Sequence, residues 1–185
     1  MSKAVRRIVT GHDKDGTAVI LTDGTIKSET RAAGVETALL WVTDETPADI
    51  SGSKDRAERT IGVPPPMNGS ILRIVDFPPV TGEIKVDNAA FTAEMGIGAQ
   101  HRRKGKYTDH PFMHRTKSVD YAIVLEGEID MLLDDSKVHL KAGDILVQQG
   151  TNHAWVNTGK TTCRIAFVLI GAHEPEVLKG APGGH

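Results

Sequence analysis

Short apolar runs recur along the chain, separated by turn residues. They are Ile8-Val9, Ala18 to Leu21, Ala38 to Val42 and Ile71 to Val75, then Tyr121 to Leu125, Ile129 to Leu133, Ile145 to Val147 and Arg164 to Ile170. The runs are rich in Val, Ile and Leu, and most are bounded by Gly, Asp-Gly, Asn-Gly or Pro, the residues that limit strands. Helical periodicity is weak throughout, and Ala89 to Met95 is the best candidate for a short helix. Many short strands at close spacing predict an all-β sandwich or barrel.

The pattern divides unevenly. Residues 1–68 hold two or three strands and a polar stretch, Asp44 to Thr60, closed by Pro64-Pro65-Pro66; they read as an N-terminal, strand-containing extension. Residues 69–171 carry the densest strand pattern and are expected to form one barrel, and residues 172–185 are expected to be a flexible tail. Asp13-Lys14-Asp15-Gly16 opens like a calcium loop but lacks the further acidic ligands and the closing Glu, so a tight turn is expected. Tyr121 alternates out of phase with Asp120, Ala122 and Val124 and is expected to face away from the interior. Because Tyr121, Ile123 and Leu125 are themselves apolar, that outer face needs a cover. The N-terminal strands or a second copy would supply it, and a homodimer is the expectation.

Hydrophobic residues make up 39% of the 185 and charged residues 25%, enough to bury one core. A net charge of −2 gives no electrostatic case for nucleic acid or an anionic membrane as partner. The basic cluster His101 to Lys106 reads as a solvated loop. No stretch approaches the ~20 apolar residues of a membrane span, and the opening MSKAVRRIVTG lacks a signal-peptide core. The single cysteine, Cys163, makes an intrachain disulfide impossible and reads as a buried, inert thiol. A cytoplasmic protein is expected. The absence of a Gly-x-Ser-x-Gly elbow, a phosphate-binding Gly loop and Cys-x-x-Cys argues against the chemistries those motifs carry.

Three polar residues stand where strands are predicted: His114, Asp120 and His153. Asp120 opens an apolar run, and a carboxylate there is costly unless it is paired or binds a metal. Arg115 and Arg164 are its candidate protein partners. His110 is set aside as a loop residue, because Pro111 forbids the helix on which it and His114 would converge. Asp120 lies six residues past His114, about 20 Å on a straight strand, so the two meet only if the chain turns, at Lys117-Ser118. Trp155 is a candidate for the pocket or for core packing, and Asn157 for a turn.

At these positions the chain resembles the cupins, small jelly-roll barrels with two motifs. The first contains H-x-H-x(3,4)-E-x6-G, onto which His114-x-Thr116, Asp120 and Gly127 fall. The second contains G-x-x-H-x3-N, onto which Gly150, His153 and Asn157 fall, with Gly143 upstream and one residue fewer between the glycines. The stretch is also similar to single-domain cupins found near polyketide cyclases of the tetracenomycin type. The resemblance implies a jelly-roll β-barrel and one divalent metal ion, Fe, Zn, Mn or Ni, on His114, Asp120 and His153. Thr116 takes the place of the second histidine, and Gln148 roughly that of the motif proline; with Trp155 they are expected in the pocket.

The expected function is metal-dependent chemistry on a small organic molecule. Two imidazoles and a carboxylate leave positions open for substrate, which suits Lewis-acid catalysis by a lyase, isomerase, cyclase or decarboxylase. The same donors with Fe(II) would suit a dioxygenase. A non-catalytic cupin that binds a small ligand is the alternative from another class. The polar N-terminal stretch and Gly98 to Asp109 are expected to form the mouth.

Overall fold

The computed structural model of the chain describes residues 4–82, 84–97 and 104–178. Every apolar run named above lies in a strand, save that Leu133 falls just past the end of its own. The hairpin β1 (Val5–His12) and β2 (Ala18–Ile26) is closed by Asp13, whose carboxylate accepts the N–H groups of Asp15 and Thr17, so this is a turn and not a cation loop. The short β3 (Glu29–Thr30) and β4 (Glu36–Thr43) run into β5 (Ser70–Phe77). The helix α1 (Asn88–Glu94) follows, with Asp87 capping its start by accepting the N–H of Ala90. Then come β6 (Ser118–Glu126), β7 (Glu128–Leu132), β8 (Lys137–Lys141), β9 (Ile145–Gln149), β10 (Ala154–Val156) and β11 (Cys163–Gly171).

A six-stranded sheet in the order β3-β4-β5-β11-β6-β9 faces a three-stranded sheet, β10-β7-β8. From β6 onward the chain passes back and forth between the two sheets, the wrapping of a jelly roll. The expected extension is woven into this fold, since β4 is hydrogen-bonded along β5 in the larger sheet. The core lies between the sheets, where Val42, Ile71, Val124 and Ile165 of one meet Ile129, Met131 and Leu140 of the other. Each such side chain taken from water contributes about 1.5–3 kcal/mol.

β6 and β11 read as sheets with one dry face should. Ser118, Asp120, Ala122 and Val124 point in, as do Cys163, Ile165, Phe167 and Leu169. Burial pushes the Cys163 thiol up to about 12, which makes it inert as expected. On the outer face the β1–β2 hairpin covers one end, with Val5 and Ile26 against Ala38, Leu40 and Ile74. Arg7 fixes it there by donating to the Leu40 carbonyl and pairing with Asp55. The hairpin stops short of β6 and β9, so Tyr121, Leu125, Ile145 and Val147 remain exposed.

Three strands escaped the sequence pattern, the first being β3, only two residues long. β8 is mostly exposed and carries charges at both ends, while β10 is only three residues long. The expected tail is anchored at its start, where Glu174 pairs with Arg115 and Lys117; residues 179–185, and 98–103 with part of the basic cluster and expected mouth, lie outside the described residues.

Asn157 does more than close a turn. It donates to the carbonyls of Phe77 and Thr161 and accepts from the N–H of Gly159, all from a position 1% exposed. Asn157→Ala removes all three hydrogen bonds from a buried position, and is expected to cost about 3 kcal/mol. A urea denaturation midpoint unchanged from the parent would refute this role.

Candidate active site

The two histidines come together through the backbone. His114 and His153 form an isolated antiparallel bridge, each N–H donating to the other's carbonyl at 2.9 Å. Gly150 lets the second segment approach, because it has φ +57° and a Cβ there would sit 3.3 Å from the Thr116 carbonyl. The ring centroids end 4.2 Å apart. Phe91 meets the edge of His114, and Trp155 that of His153.

The backbone also fixes the tautomer of each ring. Nδ1 of His114 lies 2.8 Å from the Phe112 carbonyl, and Nδ1 of His153 lies 3.0 Å from the Thr151 carbonyl. A carbonyl only accepts, so both Nδ1 atoms carry the proton and both Nε2 lone pairs stay available. Burial holds both rings well below the ordinary imidazole value, His114 at about 4, and each is therefore neutral at pH 7.

Asp120 is 4% exposed on β6. Its Oδ2 accepts from the Gln148 amide at 3.0 Å, across the β6–β9 pair, whereas Oδ1 is buried with no partner among the described residues. Burial raises the carboxyl to about 6, against the pull of the Ser118 hydroxyl and the Arg73 charge. Neither arginine expected beside it is there. Arg115 is engaged by Glu174, and Arg164 forms a two-pronged pair with Asp76 on the neighbouring strand β5.

His114, Thr116, Asp120, His153 and Trp155 line one cavity of about 470 Å³. Gln148 does not; its side chain is spent on Asp120. The Thr116 hydroxyl pairs with Ser118 at 2.8 Å. His110 sits in the loop, its Nδ1 accepting from the N–H of Phe112, outside this cavity. Among the described residues no three His, Cys, Asp or Glu side chains are gathered into one metal-holding group as they lie. The histidine pair is the assembled part, with Asp120 on the same wall. Phe77, Phe91, Phe112 and Phe167 supply aromatic walls, and the N-terminal stretch reaches the cavity through Arg31, Ile61 and Gly62.

The sequence pattern passed over Arg73. It sits in the middle of Ile71 to Val75, and with Ile71 and Val75 it points between the sheets, 7% exposed and lining the cavity. The signal was the one that singled out Asp120, a charge inside an apolar run.

The neutral tautomers have a measurable consequence. Nitrogen-15 spectra of the two imidazoles should show protonated Nδ1 and bare Nε2 from neutral pH down to about 5. The unfolded chain takes up these protons near 6.5, while folded His114 resists until about 4 and folded His153 is likewise held well below its ordinary value by burial. Stability should therefore fall as pH drops through that window, and a charged ring at pH 6 in the folded protein would contradict the assignment.

A sequence profile described as a cupin domain matches residues 100–170. The phomopsin biosynthesis cluster protein C' of Diaporthe leptostromiformis is 32% identical, over 96% of this chain and 84% of its own. The cupin-domain-containing oxidoreductase fogC of Aspergillus ruber is 30% identical, over 94% of this chain and 75% of its own. Among solved structures, the polyketide cyclase RemF of Streptomyces resistomycificus is similar at a TM-score of 0.42 and 15% identity, over 81% of this chain and 77% of that one.

Proposed function

The chain belongs to the cupin family, and from that premise we propose that it is a metal-dependent enzyme acting on a small organic molecule held in the aromatic cavity. The observation that carries this reading is the pair of neutral imidazoles with Nδ1 tied to backbone carbonyls. That second tie is how metal-binding histidines are oriented and kept basic at the other nitrogen. The orphaned Oδ1 of Asp120 is the matching third donor, a buried carboxylate oxygen that no described residue satisfies. Two imidazole nitrogens and one carboxylate oxygen suit Fe, Zn, Mn or Ni. With Thr116 in the place of a further imidazole, the set has fewer than four strong protein donors, as catalytic sites do.

A bound ion supplies Lewis acidity toward a carbonyl or carboxylate oxygen. The remaining work falls to the chain. Gln148 holds Oδ2 of Asp120 and so fixes the orientation of its free oxygen. The Thr116–Ser118 hydroxyl pair offers a hydrogen bond to a substrate oxygen, and the aromatic walls exclude water from the reacting end. This combination serves a lyase, isomerase, cyclase or decarboxylase. The relatives named oxidoreductases favour a second reading, in which the same donors hold iron(II) and the substrate is oxidised by dioxygen.

Elemental analysis of protein purified without chelator or affinity tag tests the shared premise. About one divalent ion per chain is expected, lost in folded His153→Ala and bound at least tenfold more weakly in Asp120→Ala. The ion found, with dioxygen consumption measured alongside, divides the two readings. A parent that takes up none of Fe(II), Zn(II), Mn(II) or Ni(II) overturns both.

A further inference from the structure

A buried guanidinium with no salt-bridge partner among the described residues, that of Arg73, stands in the same cavity. Arg73 is 7% exposed, yet its one hydrogen-bond acceptor among the described residues is the Gly62 carbonyl, 2.6 Å from Nη2. Its Nε is buried and has no hydrogen-bond partner among the described residues. Taking such a cation out of water costs several kcal/mol unless an anion and hydrogen bonds repay it. Elsewhere among the described residues a counter-charge is present, even for Arg7, whose Nε is likewise unsatisfied. Buried Asp76 has Arg164, and Arg7 has Asp55.

Asp120 is the obvious internal candidate, and it does not form that pair. Its Oδ2 is held by Gln148 from the opposite side of β6, and its Oδ1 makes no hydrogen bond to Arg73 or to any other described residue. The two charges feel each other through the cavity without touching. Arg31, a second cation on the cavity wall, adds to the positive field rather than cancelling it. Around them the surfaces are the flat faces and edges of Phe77, Phe91, Phe112, Trp155 and Phe167. A volume of about 470 Å³ with such walls is in the range that encloses a small ring system.

We infer that the cavity takes a planar organic acid, its rings between the aromatic walls and its carboxylate paired with Arg73. The inference names the substrate class of the site proposed above and rests on that reading only for the cavity being where substrate goes. Arg73 is assigned a binding role, as the group that fixes which end of the acid lies against β5. A guanidinium matches a carboxylate in shape as well as in charge, which a neutral oxygen substituent cannot exploit equally.

The test compares naphthoate with naphthamide, which share the ring and differ in the charge. Binding is read by quenching of tryptophan fluorescence, since Trp155 lines the cavity, and by calorimetry. The protein is used both after dialysis against a chelator and after loading with Zn(II). In the chelated parent the acid should bind about ten- to a hundredfold more tightly than the amide. In Arg73→Gln that preference should vanish while affinity for the amide stays the same, and Arg73→Lys should keep part of it. A preference that appears only with Zn(II) would place the carboxylate on the metal and overturn the role of Arg73. Equal binding of acid and amide by the chelated parent, or no binding of either, would overturn it without recourse to any variant. A preference seen in chelated protein that never takes up metal would sustain this inference while the metal-dependent reading falls.

Discussion

The reciprocal backbone bridge between His114 and His153 is the interaction on which the site depends. It is a single pair of hydrogen bonds outside the regular ladders, and it joins the segment entering β6 to the segment entering β10. Those strands belong to different sheets, so the bridge closes one end of the jelly roll across its core. Without it, two imidazoles 39 residues apart in sequence would have no reason to share a cavity wall. The close approach requires that the corner at Gly150 carry no side chain, and it is reinforced by the carbonyls of Phe112 and Thr151, which each take one ring proton. The same few backbone atoms therefore set position, tautomer and charge together.

Much of this was legible in the sequence because alternation and turn chemistry are local. The strands of the jelly roll followed from runs bounded by Gly and Asp-Gly, and the direction of Tyr121 followed from its phase against Asp120. The run Ala38 to Val42 was legible as a strand but not in its facing. A register shift between Leu39 and Trp41 sends Ala38 and Leu40 to the outer face and Val42 to the inner, so an unbroken apolar run serves both sides. Pairing was less accessible still. Arg115 and Arg164 were reasonable partners for Asp120 by proximity along the chain, but Arg164 lies opposite Asp76 in the β5–β11 register, and Glu174 arrives from the far end of the last strand. Only a correct register reveals such partners.

Buried charge separates what serves stability from what serves a ligand. The Arg164–Asp76 pair has both carboxylate oxygens satisfied at 2.7 Å and spans two neighbouring strands, so it is internally complete. Asp120 and Arg73 each keep an unsatisfied polar atom among the described residues, and both line the same cavity. Arg73 was overlooked in sequence for a simple reason. An arginine in an apolar run is ordinarily explained by its long stem reaching water, and only burial of the whole side chain removes that explanation.

The separation of Asp120 from Arg73 is itself an organising feature. Had the two paired, the desolvation cost of each would be largely repaid and the cavity would be electrically quiet. Gln148 prevents this by holding the carboxylate toward β9, while the Gly62 carbonyl holds the guanidinium from the other side. Both retaining groups are neutral, so neither cancels the charge it positions. The fold tolerates two under-satisfied charges because the dry core between the sheets, from Val42 and Ile71 to Ile129 and Leu140, does not depend on them. A cavity built this way has its binding energy stored in the free protein as unmet demand. A ligand that meets the demand at both ends is held by interactions that water cannot reproduce there.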